Sequence, residues 1–319
     1  MAILDKPVSK VLVLDKSPAH AHLIKEFCDA NNLVPLRVRS GSVMSVLRTN
    51  IDLGGILYSE SYGASAQETA RIALEIHAAR PELPIIIRRE TEATLEGLGE
   101  AQSAFCAAYV TSDMGALRKV IDEYIFCLIY PNALLRGITE ITESVLTSQF
   151  KTLKVSLDTP YIVHDRVIFG ELFSLMPLES AWCRGYMMLQ TEEDPFLDLV
   201  SHTDTADPAT AFRGVNDLLS EITNLIWGAF KNRYIGGDRP SSGSQSQVPL
   251  LVNHRHKYIS FGTENPQLCF RFTLTNEITG RSSSLDERFI FNLDWSPDAF
   301  KELPCDPAGL VESGELELF

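Results

Sequence analysis

Over the first 130 residues, short apolar runs alternate with stretches of helical periodicity, and few architectures satisfy that order. The first run, SKVLVLDKS, ends at Asp15, after which Ser17 and Pro18 offer an N-cap followed by proline at the first helical position. LVPLRV (33–38), GGILYS (54–59) and LPIIIR (83–88) continue the strand pattern, with helical patterns at about 42–49, 65–79 and 91–99. FCAAYV (105–110) is a fifth strand, and Leu117, Val120, Ile121, Tyr124 and Ile125 then fall at i, i+3, i+4 spacing. Strands joined by helical crossovers make a parallel sheet covered on both faces. The expected fold class is therefore α/β, a doubly wound five-stranded parallel sheet with its crevice at the carboxyl ends of the strands.

After Pro131 the pattern changes. NALLRGITEITESVLTSQFKTL reads as a helix with apolar positions at Leu134, Leu135, Ile138, Ile141, Val145 and Leu146. Two strands joined at a turn near Pro177–Ser180 follow, then a short helix capped by Asp194 with Pro195 at its first position, then a long helix over about 208–234. A Gly/Ser-rich loop (236–247), expected to be mobile, precedes VPLLVNH, YISF, LCFRFTLT and SLDERFIFNLDW, all strand-like. The acidic tail from about Ser296 is expected to be loosely held. A chain of 319 residues suits two cores, so the expected division is residues 1–130, an α/β domain, and 131–319, an α+β domain.

Formal net charge is −14, from 28 basic against 42 acidic residues, and such a field repels phosphate backbones and anionic lipid. Nucleic acid and membrane are not expected partners. No apolar run approaches the roughly 20 residues that cross a bilayer, and the start carries no secretion pattern, so a cytoplasmic location is expected. The six cysteines form no C-x-x-C pair and read as reduced, mostly core residues. His254 and His256 in NHRHK have no further ligands spaced nearby and read as loop or surface residues, so no metal site is expected.

The long helix carries the most chemistry. With residues set around it at roughly 100° each, Val215, Leu218, Leu219, Ile222, Leu225, Ile226 and Ala229 form the core side, and Gly214, Asp217, Glu221, Asn224, Gly228 and Lys231 a strip opposite. Glycine inside a helix costs about 1 kcal/mol relative to alanine, so two glycines flanking an acid and an amide suggest close approach by another body. An ordinary solvated face with incidental glycines is the alternative.

Two resemblances follow from these residues. The order and length of the first part resemble the receiver domain of two-component response regulators, over roughly residues 8 to 127. At its working positions the chain departs from that pattern: Asp15 is followed by Lys16 rather than a second acid. Ser59 (or, with a slip of one, Tyr58 or Glu60) stands at the phosphoacceptor position, Arg89 at the hydroxyl position and Ser112 at the lysine position. Aspartyl phosphorylation needs a nucleophilic carboxylate and a divalent cation held by neighbouring acids, so this part reads as a degenerate receiver kept for protein contacts.

DLLSEITNLIWG (217–228) resembles the signature helix of the CheC/CheX/FliY phosphatases, E-x-x-N followed four residues later by a small residue, and the surrounding order of elements is similar over about 135–296. The resemblance implies an α+β CheX-like domain that inserts its helix stripe into a phosphorylated CheY-like receiver. Asn224 would orient the attacking water and Glu221 would pair with the receiver's lysine, with Gly214, Asp217, Gly228 and Lys231 as the docking stripe. The chain would need no cofactor of its own, because Mg2+ is carried by the partner. Glu140 and Glu143 lie in the earlier helix without a second E-x-x-N, so one site per chain is expected, as in CheX, and with it a homodimer. The competing reading is a non-catalytic adaptor that binds receivers through the same helix. Docking of the stripe on the chain's own first domain, as inhibition by mimicry, is a further reading, and deleting residues 1–130 is expected to leave catalysis intact.

Overall fold

The computed structural model describes residues 6–38, 41–49, 52–164, 168, 170–180, 182–200, 208–235, 251–253, 258–291, 300 and 302–303. The 236–247 loop, the His254/His256 pair and most of the acidic tail lie outside the described residues.

The N-terminal lobe runs β1 (Ser9–Leu14), α1 (Pro18–Ala30), β2 (Leu33–Arg37), α2 (Val43–Thr49), β3 (Leu53–Ser59), α3 (Ala66–Ala79), β4 (Ile85–Arg88), β5 (Ala107–Tyr109) and α4 (Met114–Tyr124). Its five strands are parallel in the order β2-β1-β3-β4-β5, the doubly wound arrangement with a switch point between β1 and β3. Leu12, Leu14, Ile56, Tyr58, Ile85 and Ile87 pack on one face, and Val11, Val13, Leu57, Ile86 and Tyr109 on the other. Burial on both sides explains why these strands read as unbroken apolar runs.

One expected element is absent. The helix expected at about 91–99 does not form; a short 3-10 turn, Gly99–Ala104, takes its place in the crossover. The carbonyls of Thr94 and Glu96 accept from Arg89 Nη1 instead, and Gly97 and Gly99 have positive φ, 81° and 59°, which breaks a right-handed helix.

The C-terminal lobe contains α5 (Asn132–Gln149), β6 (Lys154–Leu157), β7 (Tyr161–Val163), β8 (Leu172–Glu179), β9 (Arg184–Thr191), α6 (Glu193–Val200), α7 (Pro208–Phe230), β10 (Leu251–Asn253), β11 (Tyr258–Ser260), β12 (Gln267–Thr275) and β13 (Ser282–Phe291). β6-β12-β13-β9-β8 form an antiparallel sheet, with β7 also paired to β12, and β10 and β11 form a separate hairpin. The two lobes together are the α/β plus α+β combination expected.

Alternate residues of β13 divide the layers. Leu285, Phe289 and Phe291 pack under Leu134, Ile138, Val215, Ile222 and Phe230 of the helices, whereas Ile290 joins Met188, Ile259 and Phe261 on the other face. Three local expectations change. Pro177 sits inside β8, and the turn lies later, where Ser180 Oγ accepts from the amides of Trp182 and Cys183. α6 begins at Glu193, so Asp194 lies in its first turn rather than at its cap. β6 and β7 were not expected at all, being too short to show a period.

β7 joins the lobes. One edge pairs with β12; on the other, Val8 N donates to Pro160 O at 3.0 Å, Ile162 N to Val8 O at 2.8 Å and His164 N to Leu53 O at 3.1 Å. The buried Ser9 hydroxyl donates to Ile162 O at 2.9 Å. Beside this splice Asp52 pairs with Lys10 and, at 3.8 Å, with Arg271, which also donates to the buried Asp286 at 2.9 Å. Ser9 and Leu53 begin β1 and β3, so the amino ends of the parallel strands face the C-terminal lobe and the crevice at their carboxyl ends opens away from it. Docking of the stripe on its own crevice would require the splice to open. Deletion of the first lobe would bare the outer edge of β7.

Candidate functional site

α7 places the expected stripe. Val215, Leu219, Ile222, Ile226 and Phe230 are buried against the sheet, while Gly214, Asp217, Glu221, Asn224 and Lys231 are exposed and Gly228 is half-buried. Residues three apart on a helix share a face one turn apart, so Glu221 and Asn224 stand side by side. Among the described residues neither side chain makes a hydrogen bond or ion pair. A Cβ at Gly214 or Gly228 would meet nothing within 4 Å, so the glycines bound an open surface and fill no packing need. Leu225, placed above on the core side, is 36% exposed. It follows Glu221 by four residues, which turns it to the rim of the stripe.

The carboxyl end of α7 is held firmly. Lys231–Ile235 continues it as a π-helical turn, in which Trp182 Nε1 donates to Tyr234 O at 3.0 Å and Tyr234 OH donates to Ala133 O at 2.9 Å. Arg233 bridges Glu140 on α5 at 2.8 Å and Glu302 at 2.6 Å. Part of the tail expected to be loose is thus packed: Phe300 stacks edge-on against Trp182 and Leu303 N donates to Arg233 O. Glu140 therefore belongs to the clamp on α7.

At the other end of the molecule, the receiver-like positions converge differently from expectation. The β3–β4 register sets Ser59 opposite Arg88, so Arg88, not Arg89, points into the crevice. It is 1% exposed; Nε donates to Asp15 Oδ2 at 2.7 Å, Nη2 to Ser59 Oγ at 2.8 Å and Nη1 to Glu90 Oε1 at 2.9 Å. Burial works against its charge, and hydrogen bonding and attraction from Asp15 and Glu90 outweigh that, leaving its pKa above the ordinary arginine value. Arg89 instead pairs with Glu60 at 2.5 Å. Ser112 lies exposed in the turn before α4, whose first turn is capped by Asp113. Arg88 and Glu90 were legible only as charges after a strand; which of two adjacent arginines turns inward depends on register. A divalent cation does not fit this set, because its place between Asp15 and Ser59 is taken by the guanidinium.

Other chemistry is poorly supplied. Burial pushes the Cys28, Cys106 and Cys183 thiols up to about 12, so they remain protonated and unreactive at neutral pH. A cleft of about 770 Å³ between the lobes, lined by His77, Cys106, Glu123, Cys127, His164 and Glu264 among others, includes none of the stripe residues. Small-molecule sites are concave, whereas the stripe is the convex face of a helix. It suits a macromolecular partner with a groove of its own.

No family model matches the chain, and no curated protein matches it. Similar solved structures include a chemotactic CheC-like protein from Shewanella oneidensis MR-1, 16% identical, covering 49% of this chain and 96% of that one with a TM-score of 0.33. A CheC-like superfamily protein from Shewanella sp. PV-4 is 14% identical over 49% of this chain and 96% of its own, with a TM-score of 0.31. Likeness this weak decides neither family nor function. No helix among the described residues is long and apolar enough to cross a membrane.

Proposed function

We propose that the chain hydrolyses the phospho-aspartate of a separate CheY-like receiver in two-component, chemotaxis-type signalling, through the one E-x-x-N stripe on α7. The observation that carries this reading is the exposure of Glu221 and Asn224 side by side, their side chains without partners among the described residues, on a helix whose opposite face is buried and whose end is clamped. Phosphoryl transfer asks little covalent help from a protein, so positioning supplies most of the acceleration. The Asn224 carboxamide both donates to and accepts from a water and carries no charge to repel the phosphoryl group. Glu221 pairs with the partner's active-site lysine and sets the register. Gly214 and Gly228 let the partner's backbone approach, with Asp217 and Lys231 at the flanks. Mg2+ stays with the partner, this chain contributes no ligand to it, and two chains act as a homodimer.

The test is the rate of phosphate release from a panel of phosphorylated receivers of the same cell, with and without the full chain. Acceleration by wild type, and its loss by on the order of 100-fold in Asn224→Ala with binding retained, supports the reading. Binding without any acceleration would leave an adaptor in place of an enzyme. Absence of binding to every phospho-receiver would remove both.

A further inference from the structure

We infer that Arg88 is a built-in counter-ion that closes the N-terminal crevice to divalent cations and holds the ends of β1, β3 and β4 in one arrangement. Three contacts carry this. The guanidinium binds the carboxylate after β1 through Nε, the hydroxyl ending β3 through Nη2 and the carboxylate of Glu90 through Nη1, all within 2.9 Å. Neither Asp15 oxygen is idle, since Oδ1 accepts from Ser17 N at 2.8 Å while Oδ2 faces Arg88. Ser59 Oγ also lies 3.0 Å from Ser61 Oγ, and both Glu60 oxygens are engaged, by Arg89 at 2.5 Å and by Glu90 N at 2.7 Å.

The chemistry of the replacement is direct. A small divalent cation demands about six oxygens in octahedral array, several of them anionic or water. Here one buried carboxylate, one hydroxyl and one rim carboxylate remain, and a planar cation that never loses its proton already occupies a hydrogen-bonding position on each of them. Arginine's fork spans three strand ends where a metal would span two carboxylates and a phosphoryl group. The state of this lobe is therefore insensitive to magnesium and to phosphoryl donors, and whatever its outer faces bind, they present one fixed surface. This inference stands whether or not the α7 stripe is catalytic.

The test uses the full-length chain and Mn2+ as the probe, followed by electron paramagnetic resonance and by Tm with the cation or with chelator. Wild type should bind no Mn2+ and show the same Tm in both. Arg88→Met removes the charge but keeps the stem; it should take up one Mn2+ at least ~10-fold more tightly than wild type and gain Tm from it. Asp15→Asn in that background should abolish the gain. Mn2+ uptake by wild type that Asp15→Asn abolishes, or a folded Arg88→Met chain indifferent to Mn2+, would overturn the inference. Should Arg88→Met not fold, Ser59→Asp with Arg88 retained supplies the test. Its new carboxylate should pair with the guanidinium, raise Tm and still bind no Mn2+, and Mn2+ binding by this variant would equally overturn the assignment.

Discussion

The hydroxyl of Ser9 donates to the carbonyl of Ile162, 153 residues away, at 2.9 Å in a fully buried position. Around this bond the two sheets meet through backbone, so the lobes are expected to unfold together. A Cβ on Gly54 would stand 1.8 Å from Ser9 Oγ and 3.1 Å from Ile162 O. Gly54→Val should cost about 1–3 kcal/mol in urea unfolding, read by probes in both lobes. A chain beginning at residue 131 should lose stability as well, because β7 loses its Val8 and Leu53 partners. Unchanged stability in both variants would mean that the splice is incidental.

Stability and function should separate at Gly228. Its Cβ position is open and it lies inside α7, so Gly228→Ala should raise stability by about 1 kcal/mol through helix propensity. Under the proposed function the added methyl faces the partner, and turnover of phospho-receiver should fall. A stabilised variant with full turnover would show that no partner backbone comes close there.

Trp182 links the β8–β9 turn to the end of α7. Trp182→Phe removes the donor to Tyr234 O and thins the packing against Phe230, Phe291 and Phe300. The expected loss is about 1–3 kcal/mol, with faster amide exchange over residues 231–235.

Glu287 supplies a pH signature. It is fully buried under α5, where Thr142 Oγ1 donates to it at 2.8 Å, and burial pushes its pKa from 4.5 up to about 8. The folded state thus holds a proton that the unfolded state releases above pH 4.5, so stability falls as pH rises from about 4.5 to about 8, by at most roughly 1.4 kcal/mol per unit. Glu287→Gln keeps a neutral partner for Thr142 and should flatten that part of the Tm against pH curve. Wild type would then be the less stable of the two at pH 8, and parallel curves would contradict the assignment.

Much of the fold was legible because its signals are local. Central strands buried on both faces must be continuously apolar, as ILY in β3 and III in β4 are, and α7 shows its buried side at helical spacing in Val215, Leu219, Ile222 and Ile226. Leu225 departs from the expected core side because four residues after Glu221 is the same face, a point of helix geometry rather than of hydrophobicity. The 91–99 segment breaks its helical spacing because the Thr94 and Glu96 carbonyls serve the Arg89 side chain and Gly97 and Gly99 take positive φ, neither of which apolar periodicity registers.

By itself the amino-acid order determined most of the elements, the parallel, doubly wound character of the first sheet and the buried side of α7 apart from Leu225, since these follow from periodicity and short-range sterics. Tertiary structure alone decided that Arg88 rather than Arg89 turns into the crevice, that three residues of β7 tie the lobes, and that Glu221 and Asn224 are left open. Those outcomes depend on strand register and on contacts between segments tens of residues to 153 residues apart, where the free energy of burying or pairing a group is set by neighbours that the linear chain does not place beside it.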